Sequence, residues 1–204
     1  MAETRDAKGS AVGQKSLNGD SVGYDKSTLG LTRHLTPTQL AAHLACPHLT
    51  QLDRQRREGL LQIEFSPDSR LDALRERGRQ HETAYVEWLR SEGRSICDLR
   101  DQRDPAATRQ AMEAGFGAIV QATLGNEVFS GIADVLLRVD ATTSSLPGYA
   151  YEPADTKLSL ETKPGTILQL CTYAELLTPM QGVAPDCIHV ITPIEQETYA
   201  PAMW

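Results

Sequence analysis

The sequence predicts an α/β protein in which helices flank a mixed β-sheet. Apolar residues recur at three- and four-residue steps over residues 69–93, which is the spacing of a helix face. Later in the chain, short apolar runs separated by turn-forming residues are typical of strands. From Pro105 onward the predicted order is helix, three strands in a meander, helix and strand, as in layered α/β folds.

The composition indicates a soluble protein with one well-buried domain. Of its 204 residues, 40% are hydrophobic and 23% are charged, which is ordinary for a globular chain. The formal net charge of −7 disfavours a non-specific nucleic-acid binder, although local patches matter more than the sum. Four scattered cysteines and no signal peptide favour a cytoplasmic protein without disulfides. No apolar run approaches the roughly 20 residues that span a bilayer, so we expect no membrane association.

The chain is predicted to start with a disordered leader, residues 1–30, followed by one domain, residues 31–204. The leader is rich in Gly, Ser, Lys and Asp and has no apolar period, so it cannot offset its ordering entropy. A basic arm that binds nucleic acid is the alternative, but acids interrupt its positive charge. Within the domain we expect a helical lobe, residues 31–93, and an α/β core, residues 94–204.

Three helices are predicted in the lobe. Thr36, Pro37 and Gln39 form a capping-box start for the first, which ends before Pro47, and the second covers residues 49–59. The third covers residues 69–93, and its apolar stripe consists of Leu71, Leu74, Gly78, His81, Tyr85 and Trp88.

This stripe gives the third helix two expected contacts. His81 should point inward with the stripe, and Gly78 should allow close approach of another element. Taken alone, a histidine on such a face is more often a satisfied core residue than a metal ligand.

The core elements follow in order. They are a short strand (95–99), a helix from Pro105 to about residue 124, strands at 128–130 and 133–139 broken near Gly131, a loop (141–148), a strand (149–158), a helix from Lys163 to about Pro179, and a strand (187–192). The crossover between the last two strands is expected to be right-handed.

Three polar residues on the predicted strands carry the functional prediction. Residues two apart on a strand point to the same face, so Asp155 and Lys157 emerge together. If their strand forms a hairpin with the preceding one, Asp134 lies beside Asp155. Two carboxylates suit Mg²⁺ or Mn²⁺, and a lysine can position the attacking water and stabilise the transition state. The alternative for each is a solvated acid or a surface Asp–Lys pair.

The motifs GIADVLLRV, YEPADTKL and QLCTY resemble the RecB-like branch of the PD-(D/E)xK nuclease superfamily. That branch has a helix histidine, an Asp, an Asp-x-Lys and a Gln-x-x-x-Tyr helix in this order. The matching positions are His81, Asp134, Asp155, Lys157, Gln169 and Tyr173. The segments LTPTQLAAHLACPHLTQLD and RGRQHE are similar to the nuclease domain of predicted helicase-nucleases, so the resemblance extends from about residue 31 to the end.

The resemblance implies a restriction-endonuclease-like core and a metal site. Asp134 and Asp155 would bind the metal, His81 would complete its ligand set, and Lys157 would be the catalytic lysine.

Gln169 and Tyr173, one helical turn apart, would contact nucleic acid or brace the acids. For both residues, a plain packing role is an about equally good alternative to a role in the site.

The chain departs from the family pattern in two respects. Glu152, three residues before Asp155, would point to the opposite face. Some relatives hold an iron–sulfur cluster through one early and three late cysteines. Cys46 could be the early ligand, but the late trio is missing and Cys171 and Cys187 have the wrong spacing. No iron–sulfur cluster is therefore expected.

The resemblance implies a Mg²⁺- or Mn²⁺-dependent nuclease that acts on DNA, at single-stranded or unwound ends, in a repair or recombination machine. Because the sequence ends soon after the last predicted strand, we expect a C-terminally truncated module whose helicase region acts in cis or in trans. One alternative is a catalytically inactive nucleic-acid-binding or scaffolding domain of the same fold. Another is an unrelated α/β interaction domain in which Asp134 and Asp155 lie far apart.

Overall fold

The computed structural model describes residues 34–62 and 67–201, so the expected leader, residues 1–30, lies outside the described residues. The helices in these ranges are α1 (Pro37–Ala45), α2 (Pro47–Arg57), α3 (Ser69–Ser91), α4 (Pro105–Glu113) and α5 (Pro164–Gln181). The strands are β1 (Ile96–Asp98), β2 (Ala118–Gly125), β3 (Ser130–Asp140), β4 (Tyr149–Thr156), β5 (Ile188–Ile191) and β6 (Gln196–Tyr199).

These strands form one mixed sheet whose spatial order, β1-β2-β3-β4-β5-β6, is also the order along the chain. β1 is parallel to β2 and β4 is parallel to β5, whereas the other neighbours are antiparallel. The two parallel strands β4 and β5 are joined through α5. The predicted α/β class with a mixed sheet is thus confirmed.

Helices pack on both faces of the sheet and enclose two hydrophobic clusters. One cluster contains Leu170 and Leu177 of α5, and we call its side of the sheet the α5 face. The other contains Tyr85 and Leu89 of α3, and we call its side the α3 face. No helix among the described residues is long and apolar enough to cross a membrane.

The first helix begins at the predicted capping box and packs closely on β3. Thr36 Oγ1 accepts the Gln39 N–H and Gln39 Oε1 accepts the Thr36 N–H, both at 3.0 Å. Gly131 permits the close packing, since a Cβ built there would lie 2.8 Å from Pro37 Cδ and 3.1 Å from the Tyr173 ring. A larger residue at position 131 would therefore push α1 away from the sheet.

The helix predicted from Pro105 to residue 124 is wrong beyond Glu113. Gly115 has a φ of 72°, and a glycine in this left-handed conformation commonly terminates a helix. The chain then enters β2, whose first seven residues are buried or half-buried. The closely spaced Gly115 and Gly117 are the signal in the sequence that the helix ends here.

Other boundaries also differ from the prediction. Residues 128–130 and 133–139, predicted as two strands broken near Gly131, belong mainly to the single strand β3. The edge strand β6 was not predicted. α5 continues through Pro179 to Gln181 and ends at Gly182, whose φ of 72° is the left-handed conformation common at helix ends.

The predicted apolar stripe of α3 is wrong for most of its members. Leu71, Leu74 and Trp88 are each about half exposed, at 49%, 53% and 49%. Nothing in the described part of the chain approaches Gly78 closely, since no heavy atom there, outside the local helix, lies within 4 Å of a Cβ built on this glycine. The buried residues of the helix are Tyr85, Val86 and Leu89. Periodicity indicates a face, but it does not tell how much of that face the sheet covers.

Candidate metal site where β3 and β4 separate

The candidate site begins where the ladder between β3 and β4 ends. The last ladder pair is Val135 and Ala154, so the next two residues, Asp134 and Asp155, stand opposite each other without ladder pairing. The Asp134 carboxylate replaces the missing backbone acceptor. Its Oδ2 accepts the Thr156 N–H at 3.1 Å and the Thr156 hydroxyl at 3.3 Å. The end of β4 is therefore held to β3 through the side chain of Asp134.

Asp155 is a buried acid beside a second acid. Its side chain is 2% exposed, and burial followed by the charge of Asp134 raises the pKa of Asp155 to about 7, against the opposing effect of Lys157. A bound cation would relieve the repulsion between the two carboxylates.

Lys157 follows β4 and reaches back to the acid two residues earlier. Its Nζ forms an ion pair with Asp155 Oδ2 at 2.5 Å, and this contact lowers the pKa of the acid against the effect of burial. The side chain of Lys157 is 32% exposed, so its ammonium group lies between the buried acid and solvent. The Lys157 N–H donates to the Ile191 carbonyl at 2.9 Å, which anchors this residue to β5.

His81 approaches the same region from α3, in the layer on the opposite face of the sheet. Its Nε2 lies 3.0 Å from the Ile191 carbonyl oxygen, which also accepts the Lys157 N–H. Because a carbonyl oxygen only accepts, Nε2 carries the proton, and in the neutral ring the lone pair is on Nδ1. Histidines that bind metal through one nitrogen commonly donate the other N–H to a backbone carbonyl. This tautomer therefore suits a metal ligand, and the Nε2–H bond holds the ring against the backbone of β5.

Tyr173 and Gln169 lie on α5 and differ in what they contact. Tyr173 is buried, and its hydroxyl donates to the Ile132 carbonyl at 2.7 Å. Burial raises the pKa of Tyr173 to about 12, and the charges of Asp134 and Asp155 act in the same direction, so the hydroxyl keeps its proton. Gln169 is half-buried, and its proximity lowers the pKa of Tyr173 against the larger effect of burial. The geometry thus favours bracing of β3 for Tyr173.

Gln169 is also exposed to a cavity. It lines a space of about 440 Å³ between α1 and the start of α5, together with Lys163 and Thr166. An amide and an ammonium group in one cavity can donate hydrogen bonds to an anionic ligand. The substrate-contacting role therefore remains open for Gln169.

The described donors fit a hard divalent cation. No group of three His, Cys, Asp or Glu side chains that could hold a metal ion occurs within residues 34–62 and 67–201. Asp134 and Asp155 form a pair instead, and Mg²⁺ commonly uses one or two carboxylates with water and substrate phosphate as the remaining ligands. The buried Oδ2 of Asp155, with Lys157 as its ion-pair partner, provides acceptor capacity for such an ion.

Two contributors to the site were not singled out from the sequence. Thr156, the middle residue of the Asp-x-Lys motif, binds Asp134 through both its amide and its hydroxyl. The Ile191 carbonyl joins His81 to Lys157. The hydroxyl of Thr156 was a signal that could have been noticed, whereas a backbone carbonyl leaves none.

No family model matches this chain, and no curated protein matches it in sequence.

Proposed function

We propose that this chain is a divalent-metal-dependent nuclease that hydrolyses DNA phosphodiester bonds, with a restriction-endonuclease-like core of the PD-(D/E)xK type. The observation that carries the proposal is the convergence of Asp134, Asp155 and Lys157 where β3 and β4 separate. A buried acid whose pKa is raised by a second acid, next to a partly exposed lysine, is typical of a reactive site. In a purely structural Asp–Lys pair the second carboxylate would be unfavourable.

The residues divide the work of hydrolysis between them. Asp134 and Asp155 would hold Mg²⁺ or Mn²⁺, and Thr156 fixes the position of Asp134 through two hydrogen bonds. When bound, the ion would lower the pKa of its water and neutralise charge on the phosphate. Lys157 would orient that water and donate to the developing negative charge, since its ammonium group already lies at the rim of the site.

The surrounding residues would position substrate and acids. Tyr173 braces β3, and Gln169 would contact the DNA backbone from the cavity beside α1. His81 does not form a metal-holding group of three with the two acids in the described ranges, so its role as a further ligand through Nδ1 is proposed from the motif resemblance and from its tautomer. We propose single-stranded or unwound DNA ends as the substrate and a helicase-nuclease as the wider assembly, on the strength of the motif resemblance alone.

A cleavage assay with matched variants tests the proposal. The chain is incubated with labelled single-stranded and duplex DNA in the presence of Mg²⁺, Mn²⁺ or EDTA. We expect metal-dependent cleavage that falls by about 10²–10³-fold in Lys157→Ala, the loss typical of removing one group that stabilises transition-state charge. Metal binding and folding should be retained, because Lys157 is not a metal ligand.

Two control variants separate the site from general charge effects. Arg109→Ala removes an exposed cation from α4, and Asp140→Asn removes an exposed acid from the far end of β3. Both should cleave DNA as the wild type does. A wild-type protein that binds Mn²⁺ but leaves every DNA substrate intact would instead support the inactive binding or scaffolding domain.

A further inference from the structure

An unusual backbone conformation occurs directly opposite a proposed metal ligand. Gln121 has a φ of 56° and is the one non-glycine residue with a positive φ in the described ranges. In the ladder of β2 and β3 it lies between the pairs Val120–Val135 and Ala122–Ala133, which places it across from Asp134. Strain of this kind persists where the surroundings hold it, and it is concentrated at functional sites.

At Gln121 the alternation of side chains along β2 is shifted, so that even-numbered residues point to one face of the sheet before it and to the other face after it. Ala118 packs in the cluster on the α3 face, whereas Ala122 and Leu124 pack in the cluster on the α5 face. An uninterrupted strand period of two would put all three on one face. β3 reverses at the same level, since Ala133 packs on the α5 face and Val135 on the α3 face.

The side chain of Gln121 is bonded to the helix that carries His81. Its Nε2 donates to Glu82 Oε1 at 2.9 Å, and Arg100 donates to the same oxygen at 3.2 Å. The Glu82 side chain is 16% exposed, so these contacts are partly shielded from water. His81 precedes Glu82 directly and bonds to the Ile191 carbonyl on β5. One turn of α3 is therefore attached to the sheet at two points, one on β2 and one on β5. These two strands flank β3 and β4, which carry Asp134 and Asp155.

We propose that Glu82 is a positioning residue for the metal site. It accepts hydrogen bonds from Gln121 and Arg100, and it thereby fixes the turn of α3 that presents His81 relative to the strand that carries Asp134. The proposal rests on the proposed metal-dependent function, but it concerns metal affinity and can be tested without DNA cleavage. Residues that orient a metal ligand without contacting the metal typically change metal affinity by about 10–100-fold when they are removed.

The test is a Mn²⁺ titration of the full chain by calorimetry. We expect Glu82→Ala to weaken Mn²⁺ binding at least about tenfold. Glu82→Gln keeps an oxygen that accepts from Gln121, so it should bind Mn²⁺ close to the wild-type affinity. The matched control is Glu87→Ala on the same helix, an exposed acid paired with Arg90 at 2.5 Å, which should have no effect.

A double mutant separates positioning from mere folding support. If Glu82 acts through His81, then Glu82→Ala should weaken Mn²⁺ binding in the wild-type background and cause no further loss in a His81→Ala background. Equal losses in both backgrounds would overturn the proposal, as would unchanged Mn²⁺ affinity in Glu82→Ala.

A second variant keeps the proposal testable if Glu82→Ala does not fold. Gln121→Gly accepts a positive φ without strain and removes the side chain that donates to Glu82, so it should also weaken Mn²⁺ binding. Normal affinity in this variant would contradict the proposal. A wild-type chain that binds no Mn²⁺ would overturn both this proposal and the metal-dependent function, whereas Mn²⁺ binding without cleavage would overturn only the nuclease.

Discussion

At the scale of single residues, Asp155 shows that the proposed site lowers the stability of the folded protein. The residue is buried beside Asp134, so its ionised form is unfavourable without a cation. Lys157 compensates only in part, because its opposing effect does not return the pKa of Asp155 to the ordinary range. Without a metal, the folded protein is thus less stable at neutral pH. Such a cost to stability is usual at functional positions.

This balance predicts a pH dependence of stability in the metal-free protein. The pKa of Asp155 rises on folding from an ordinary 3.8 to about 7, so the folded state holds the proton more tightly. The contribution of protonated Asp155 to the free energy of unfolding is fully present below about pH 4 and is lost as pH rises through about 7. Urea unfolding in EDTA at several pH values should show this decline in the wild type. The decline should be smaller in Asp155→Asn, whose side chain does not titrate; identical pH profiles would contradict the assignment.

The pairing of Asp134 with Asp155 could be predicted because the two residues lie on strands that follow each other in the sequence. The two-residue period of strands puts Asp155 and Lys157 on one face, and Asp134 can lie beside Asp155 if the two strands form a hairpin. The sequence did not indicate that the strands separate there and that Thr156 bonds to the side chain of Asp134. The loss of a ladder depends on how the whole sheet twists, which no short window of sequence contains.

At the scale of elements, glycine contacts determine where the helices can lie. Helix starts were predictable, since Thr36 and Asp104 cap helices through hydrogen bonds to their own neighbours. Glycine contacts were not, because they depend on which element passes above. Gly78 is predicted to allow a close approach, but none of the residues that the structure describes makes one, whereas Gly131, predicted as a strand break, is a close contact of α1.

The two glycines therefore predict opposite effects of the same substitution. Gly131→Ala should destabilise the protein by about 1–3 kcal/mol, because the new methyl group would meet Pro37 Cδ at 2.8 Å. Gly78→Ala should stabilise it by about 0.5–1 kcal/mol, because a helix interior favours alanine and the position is uncrowded. Chemical denaturation of the two variants measures both values. A neutral Gly131→Ala would mean that α1 does not pack on β3 as described.

At the scale of the whole molecule, the proposed site joins both layers that cover the sheet. The acids and the lysine belong to two central strands, Tyr173 comes from α5, and His81 comes from α3 on the other face. A ligand bound there would hold several elements together at once.

Metal binding should therefore stabilise the folded chain as a unit. At a free Mn²⁺ concentration of 100 times Kd, the free energy of unfolding should increase by about 2.7 kcal/mol. Thermal unfolding with and without Mn²⁺ checks this, and Asp155→Asn should lose most of the increase while Asp140→Asn keeps it. An equal increase in both variants would place the bound ion elsewhere.

The oxygen shared by Lys157 and His81 has a consequence for any scan of this surface. It belongs to the backbone of Ile191, so the contact persists whichever apolar side chain occupies that position. Alanine scanning of β5 would report on the packing of Ile191 and leave the shared acceptor undetected. The contact that joins His81 to the backbone of Lys157 can therefore persist while the side chain at position 191 varies among apolar residues.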